Sequence, residues 1–110
     1  MFQRLTDSIG GYGVQDVYKI TPSPDTIVAL ANTEVTFTVT KNGRPHTNSE
    51  IDVVFTGTVK GDNSRKVTDD TGQFKMTLTT TIGSAGSTQV EFKDVQSGTR
   101  LITAIKFTVA

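Results

Sequence analysis

Apolar and polar side chains alternate along most of the chain. From Thr33 to Thr40, Val35, Phe37 and Val39 fall on one side and Thr36, Thr38 and Thr40 on the other, the period-two signature of a strand with one wet face. Ile51, Val53 and Phe55 repeat the pattern against Asp52, Val54 and Thr56, with Val54 the one apolar residue on the outer side. Between Gln73 and Thr80, Phe74, Met76 and Leu78 alternate with Lys75, Thr77 and Thr79; further on, Val90 and Phe92 alternate with Gln89, Glu91 and Lys93. The last run places Leu101, Ile105, Phe107 and Val109 on one side. Ile102, Ala104 and Lys106 on the other lead to the expectation that this strand is covered there too. Upstream, Val17 to Thr21 and Thr26 to Ala31 read as two short pieces broken by Pro22 and Pro24, residues that suit a sheet edge because they lack the N–H a ladder needs.

Turn chemistry separates these runs. Asn42 and Gly43 supply positive φ before Pro45, and Thr68, Asp69, Asp70, Thr71 and Gly72 build the turn ahead of the third full strand. No stretch carries a helical period. Short strands with glycine and asparagine turns predict an all-β, two-sheet Greek-key sandwich of about seven strands, spanning residues 16–110. The inward phenylalanines and β-branched residues stabilise it, each buried side chain by about 1.5 to 3 kcal/mol.

Composition supports this. The chain has 110 residues, 20 of them threonine and 10 glycine, with few alanines, leucines or glutamates; it suits pleated surfaces better than helices and is enough for one core. Eleven basic residues balance eleven acidic ones, which removes the broad positive field that nucleic-acid or anionic-membrane binding draws on. The absence of cysteine excludes disulfides, thiolate zinc sites and cysteine nucleophiles together. No apolar run approaches the roughly 20 residues of a membrane helix, and the start, Met1 to Asp7, lacks the apolar stretch of a signal peptide, so a soluble protein made in the cytoplasm is expected.

Residues 1–15 differ from the rest. Phe2, Leu5, Ile9 and Tyr12 are spaced among polar residues and followed by glycines, too apolar for a free tail and too broken for a strand or helix. They read as a docking arm, either onto the chain's own sandwich or onto a neighbour.

The order of motifs from Asp16 onward is familiar. Ile20-Thr-Pro-Ser-Pro24, Asn32 to Thr40, Asn42-Gly-Arg-Pro45, Ile51 to Phe55, Thr68-Asp-Asp-Thr-Gly72 leading into Leu78, and Gly83 to Phe92 closely resemble the bacterial immunoglobulin-like repeat of the invasin and intimin type. The resemblance implies an immunoglobulin-like sandwich and says little about chemistry, because these motifs position turns. Repeats of that type usually stand in tandem within long secreted adhesins, whereas no internal repeat is visible here. Related domains also serve as small accessory parts of tailed-phage particles, which this chain resembles in size and composition.

Candidate chemistry is sparse. His46, the one histidine, follows Arg44 and Pro45 with no acid or nucleophile at a telling spacing, and reads as a solvated turn residue. Asp69 and Asp70, with Asp62 and Asn63, offer oxygens to calcium but lack the dense alternation of a dedicated loop, so turn capping explains them better. Gly57, Gly61, Gly83, Gly86 and Gly98 read as loop residues, and none opens a helix where a phosphate cradle would form. The polar stretch from Thr58 to Arg65 reads as a solvated hairpin and, less simply, as a binding tip. A carbohydrate-binding or hydrolytic sandwich would need exposed aromatics or paired acids; there is no tryptophan, and only Tyr12 and Tyr18 are candidate platforms. Threonine rows at Thr36, Thr38, Thr40 and at Thr77, Thr79, Thr81 make flat faces suited to protein contact or strand addition.

These observations favour a non-enzymatic structural protein without cofactor, metal or catalytic residues. The expected role is a virion protein of a bacteriophage, made in the host cytoplasm, that decorates or cements the capsid. Its partners would be the major capsid protein or another virion protein, and copies of itself in a homo-oligomer, with no nucleic acid and no membrane. The arm residues Phe2, Arg4, Leu5, Ile9 and Tyr12 would make the protein contact, and many copies would stiffen the shell. The alternatives are an immunoglobulin-like repeat of a bacterial surface adhesin, acting as spacer or receptor-binding module, and a phage tail accessory domain.

Overall fold

The computed structural model describes residues 16–55, 57–62 and 64–109; the arm residues Phe2, Arg4, Leu5, Ile9 and Tyr12 lie outside them. The alternating runs become strands that stack as two sheets with their apolar sides facing. In chain order they are β1 (Tyr18–Ser23), β2 (Thr26–Val28), β3 (Thr33–Lys41), β4 (Arg44–Pro45), β5 (Glu50–Val53), β6 (Val59–Gly61), β7 (Lys66–Val67), β8 (Gln73–Thr80), β9 (Gly86–Asp94) and β10 (Arg100–Thr108). One sheet runs β1-β3-β8-β6 with β4 paired to β3, and the other β2-β10-β9-β5-β7. No helix is present among the described residues.

The sequence predicts about seven strands, and the structure divides them further because the edges are shared between sheets. On one flank the chain pairs with β3 as β1, passes Pro24, and pairs with β10 as β2. On the other flank, β6 pairs with β8 and β7 crosses back to pair with β5. Among the described residues each edge is thus broken where the chain changes sheets, which shortens the run that another chain could extend. The stretch from Thr58 to Arg65, expected as a solvated hairpin, is half of such an edge. Val59 is buried to 1% exposure, and one apolar residue among polar neighbours is too short a pattern to reveal a strand.

The core is the inward side of both sheets. Phe37 stacks on Phe74 at 5.3 Å between ring centres, and Phe92 meets Phe37 edge-on at 4.9 Å and Phe74 at 5.5 Å. Val35, Val39, Ile51, Leu78, Val90, Leu101 and Ile105 close around them, and Val53 and Phe55 lie against the margin. Two glycines expected in loops lie in strands. A Cβ on Gly61 would stand 2.7 Å from Met76 Cε, and one on Gly86 3.0 Å from the Phe107 ring; both strands need glycine for close approach, not for a bend. The expected cover over the outer side of β10 is not there: Ile102 is 46% exposed, since no described residue forms a layer above it. Val109, expected inward, is 64% exposed because it lies past Thr108, the last residue of the ladder.

The two ends of the described chain lie at opposite poles. Asn42, next to the Lys41 that pairs with Tyr18, donates its N–H to Val17 O at 2.7 Å. The Ser97 turn lies at the same pole, since Tyr18 packs on His46 and His46 bonds Asp94. At the other pole, Ala29 N–H donates to Thr108 O at 2.8 Å. Between the poles β10 spans nine residues, about 30 Å at the rise of an extended strand. Its pairing with β2 is parallel, Ile27 opposite Phe107, whereas its pairing with β9 is antiparallel.

Candidate functional site

The pole where the described chain begins holds a cluster of bonded polar groups. β3 and β4 form a tight hairpin in which Lys41 faces Arg44, closed by Asn42 and Gly43 at φ 55 and 79, the pair of left-handed residues that a two-residue turn demands. The Asn42 side chain accepts from Val17 N–H at 2.8 Å and donates to Asp16 at 2.9 Å, so one residue both makes the turn and pins the incoming chain. Lys41 lies 3.6 Å from Asp16 and above the Tyr18 ring. These contacts hold Asp16 below the usual carboxylate range, the Asn42 hydrogen bond first and the Lys41 charge second.

His46, expected as a solvated turn residue, is largely enclosed. Its Nε2 meets Asp94 Oδ1 at 2.9 Å, and its ring stands edge-on to Tyr18 with centres 5.4 Å apart. Asp94 is a carboxylate with 1% exposure. Its other oxygen accepts from Ser97 Oγ at 2.6 Å and Ser97 N–H at 3.1 Å. Burial pushes this carboxyl up, but the Ser97 hydroxyl, His46 and the Ser97 N–H together outweigh it and leave Asp94 below its ordinary value. No spacing in the sequence signals the pair, which lies 48 residues apart.

The geometry defines what this cluster can do. A serine nucleophile needs its hydroxyl against the imidazole with the acid behind. Here the carboxylate stands in the middle, so Ser97 donates to the acid and gains no base. The arrangement ties β4 to the end of β9, which is structural work. Tyr18, a candidate platform for sugar rings, is half-buried between His46 and Lys41. Tyr12 lies outside the described residues.

The acidic turns are self-satisfied. Asp69 accepts at Oδ1 from Thr71 Oγ1 at 2.6 Å, Thr71 N–H at 2.8 Å and Gln73 N–H at 3.0 Å, bonds that lower its pKa, the Thr71 hydroxyl most. Asp62, bonded by Ser64 N–H first and then Lys66 and the Ser64 hydroxyl, is lowered to about 2. Asp70 joins no cluster, and no group of three or more His, Cys, Asp or Glu suited to a metal occurs among the described residues. Thr68, buried to 1%, donates to His46 O at 2.6 Å and accepts from Ser49 N–H at 2.9 Å, joining this turn to the histidine segment.

Two sheet faces lie open among the described residues. On the β1-β3-β8-β6 sheet, Thr36 lies between Ser23 and Lys75, and Thr38 between Thr21 and Gln73. The threonine rows thus alternate with lysines, Lys19 and Lys60 included, rather than facing each other. The opposite sheet carries Ile102, with Glu91 beside it bound by Arg100 at 2.7 and 2.8 Å.

This is an immunoglobulin-like β-sandwich whose polar clusters hold the frame together. Solved structures with the same fold include the D0-D1 domain of intimin, at TM-score 0.63 and 21% identity over 84% of this chain, and the D00-D0 domain of intimin, at 0.57 and 20% over 96%. The chain spans half the length of each of these two structures. WR4, a C. elegans MSP family member, is similar at 0.50 and 12% identity, covering 83% of this chain and 97% of that one. No protein-family model matches the chain, and no curated protein matches it in sequence. The expected immunoglobulin-like fold stands on the intimin domains. The expected virion role finds no counterpart among these structures and rests on the arm, outside the described residues.

Proposed function

We propose that the chain is an immunoglobulin-like module of a bacterial surface protein, a spacer or receptor-binding unit that acts through protein contact and catalyses nothing. The observation that carries this reading is the placement of Val17 and Thr108, near the two ends of the described chain, at opposite poles of a sandwich that resembles intimin domains. Such a unit extends a chain by its own length, about 30 Å, without folding back. The pinning of Asp16 and Val17 by Asn42 fixes the direction in which the chain arrives. The capsid-decorating alternative is separated by antibodies raised against the folded domain. Labelling of intact source cells is expected; labelling of purified phage particles with unlabelled cells would overturn the proposal in favour of the virion role.

A further inference from the structure

The pole where the described chain ends exposes apolar side chains that the fold goes out of its way to present. Leu30 is 64% exposed, Ile82 42% and Val109 64%. They sit together. Leu30 N–H donates to Thr80 Oγ1 at 3.0 Å, and the same hydroxyl donates to Ile82 O at 2.6 Å. A Cβ on Gly83 would stand 3.1 Å from the Leu30 side chain. Val109 follows Thr108, whose carbonyl holds Ala29, the residue before Leu30.

Leu30 also has φ 65, a left-handed backbone that bulky side chains avoid and that asparagine or glycine would adopt with less strain. The buried Thr80 hydroxyl holds the strained residue in place by its N–H, and the side chain stays largely in water. A strained backbone that holds a leucine out in water, beside two more exposed apolar residues, is the mark of a contact surface.

We propose that this pole is the docking surface for the apolar arm of a second copy of the chain, in head-to-tail self-association. The occupant follows from where the chain's remaining apolar run lies in the sequence. Phe2, Leu5, Ile9 and Tyr12 precede Asp16, and Asp16 is fixed at the pole opposite to Leu30. When two copies are aligned along their long axis, the Asp16 pole of one, from which residues 1–15 lead, faces the Leu30 pole of the next. Such a contact pairs unlike surfaces, so it extends into a row rather than closing as a two-fold dimer. It goes beyond the spacer reading and is independent of it, because it depends on this pole and arm in any setting.

The test is sedimentation velocity over a concentration series on the full chain and two full-length variants. Leu30→Asn keeps the arm and alters the pole; the triple variant Phe2→Ser, Leu5→Ser, Ile9→Ser keeps the pole and alters the arm. The parent is expected to rise above monomer mass with concentration, and each variant alone to associate at least about tenfold more weakly. Mixing the two variants is expected to restore a one-to-one pair and nothing larger, since one supplies an intact arm and the other an intact pole. Leu30→Asn is expected to melt no lower than the parent, which separates lost contact from lost fold. A parent that stays monomeric throughout, a variant that associates like the parent, or a mixture that gives no pair would each overturn the proposal.

Discussion

Asp94 Oδ1 and His46 Nε2 lie 2.9 Å apart beneath the ring of Tyr18, joining residues 48 positions apart in the chain. Asp94→Ala removes the acceptor for the enclosed His46 ring and for both donors of the solvent-exposed Ser97. The expected loss is about 2 to 3 kcal/mol. His46→Ala leaves Asp94 its two Ser97 bonds and is expected to cost about half as much. Urea midpoints at unchanged slope check both values; an Asp94→Ala loss equal to or smaller than that of His46→Ala would show that the carboxylate does not organise the cluster.

The acid limb of stability follows from Asp94, Asp69 and Asp62. Each is held below its ordinary value of 3.8 in the folded chain. A depressed carboxyl contributes stability that is fully present above its unfolded pKa and is lost as pH falls through the folded one. Stability is therefore expected to hold flat above about pH 5 as far as these groups are concerned, and to decline from pH 4 downward. Asp69→Asn is expected to shift the decline less steeply than Asp94→Asn, because Asp69 is open to solvent and its interactions are screened. Thermal melts from pH 2 to 6 read the result.

Gly72 and Gly98 separate two reasons for glycine. Both have positive φ, 78 and 74, but a Cβ on Gly72 would lie 2.7 Å from Val39 O and 3.0 Å from His46 N, whereas nothing lies near Gly98. Gly98→Ala is expected to cost about 1 kcal/mol from backbone strain alone. Gly72→Ala adds a clash with backbone that cannot swing aside, and is expected to cost about 3 kcal/mol. Equal melting temperatures for the two variants would contradict the close approach.

Phe92 lies at the centre of the aromatic cluster, touching Phe37, Phe74 and Phe55. Phe92→Ala is expected to cost about 3 to 5 kcal/mol, a large share of the stability of a small domain. Ile102→Ser, on the open face of β10, is expected to change stability by no more than about 0.5 kcal/mol. A large loss on Ile102→Ser would mean that this face is covered.

Much of this frame is visible in the chain as written. Val35, Phe37 and Val39 announce β3 because alternation over eight residues has no helical reading, and Asn42 with Gly43 announces the hairpin because few residues tolerate two left-handed positions in a row. What escapes is whatever depends on tertiary meeting. His46 looks solvated until Asp94 arrives from β9, and Val59 looks like a loop residue until β8 lies beside it. Gly61 and Gly86 read as turn punctuation, yet what excludes a side chain there is Met76 and Phe107. The exposure of Leu30 is equally hidden, since its left-handed backbone is set by a threonine 50 residues away.

The parallel pairing of β2 with β10 has a mechanical consequence. A tug on the two poles draws β10 one way by its Thr108 end and, through β1, draws β2 the other way. The bonds from Lys106 N–H to Asp25 O and from Ala29 N–H to Thr108 O lie across that pull, so they are loaded in shear as a set rather than opened in turn like a zipper. Peeled sideways, so short a patch gives way bond by bond; stretched lengthwise, it must slip all at once. The sandwich is toughest along the direction in which its own chain runs through it.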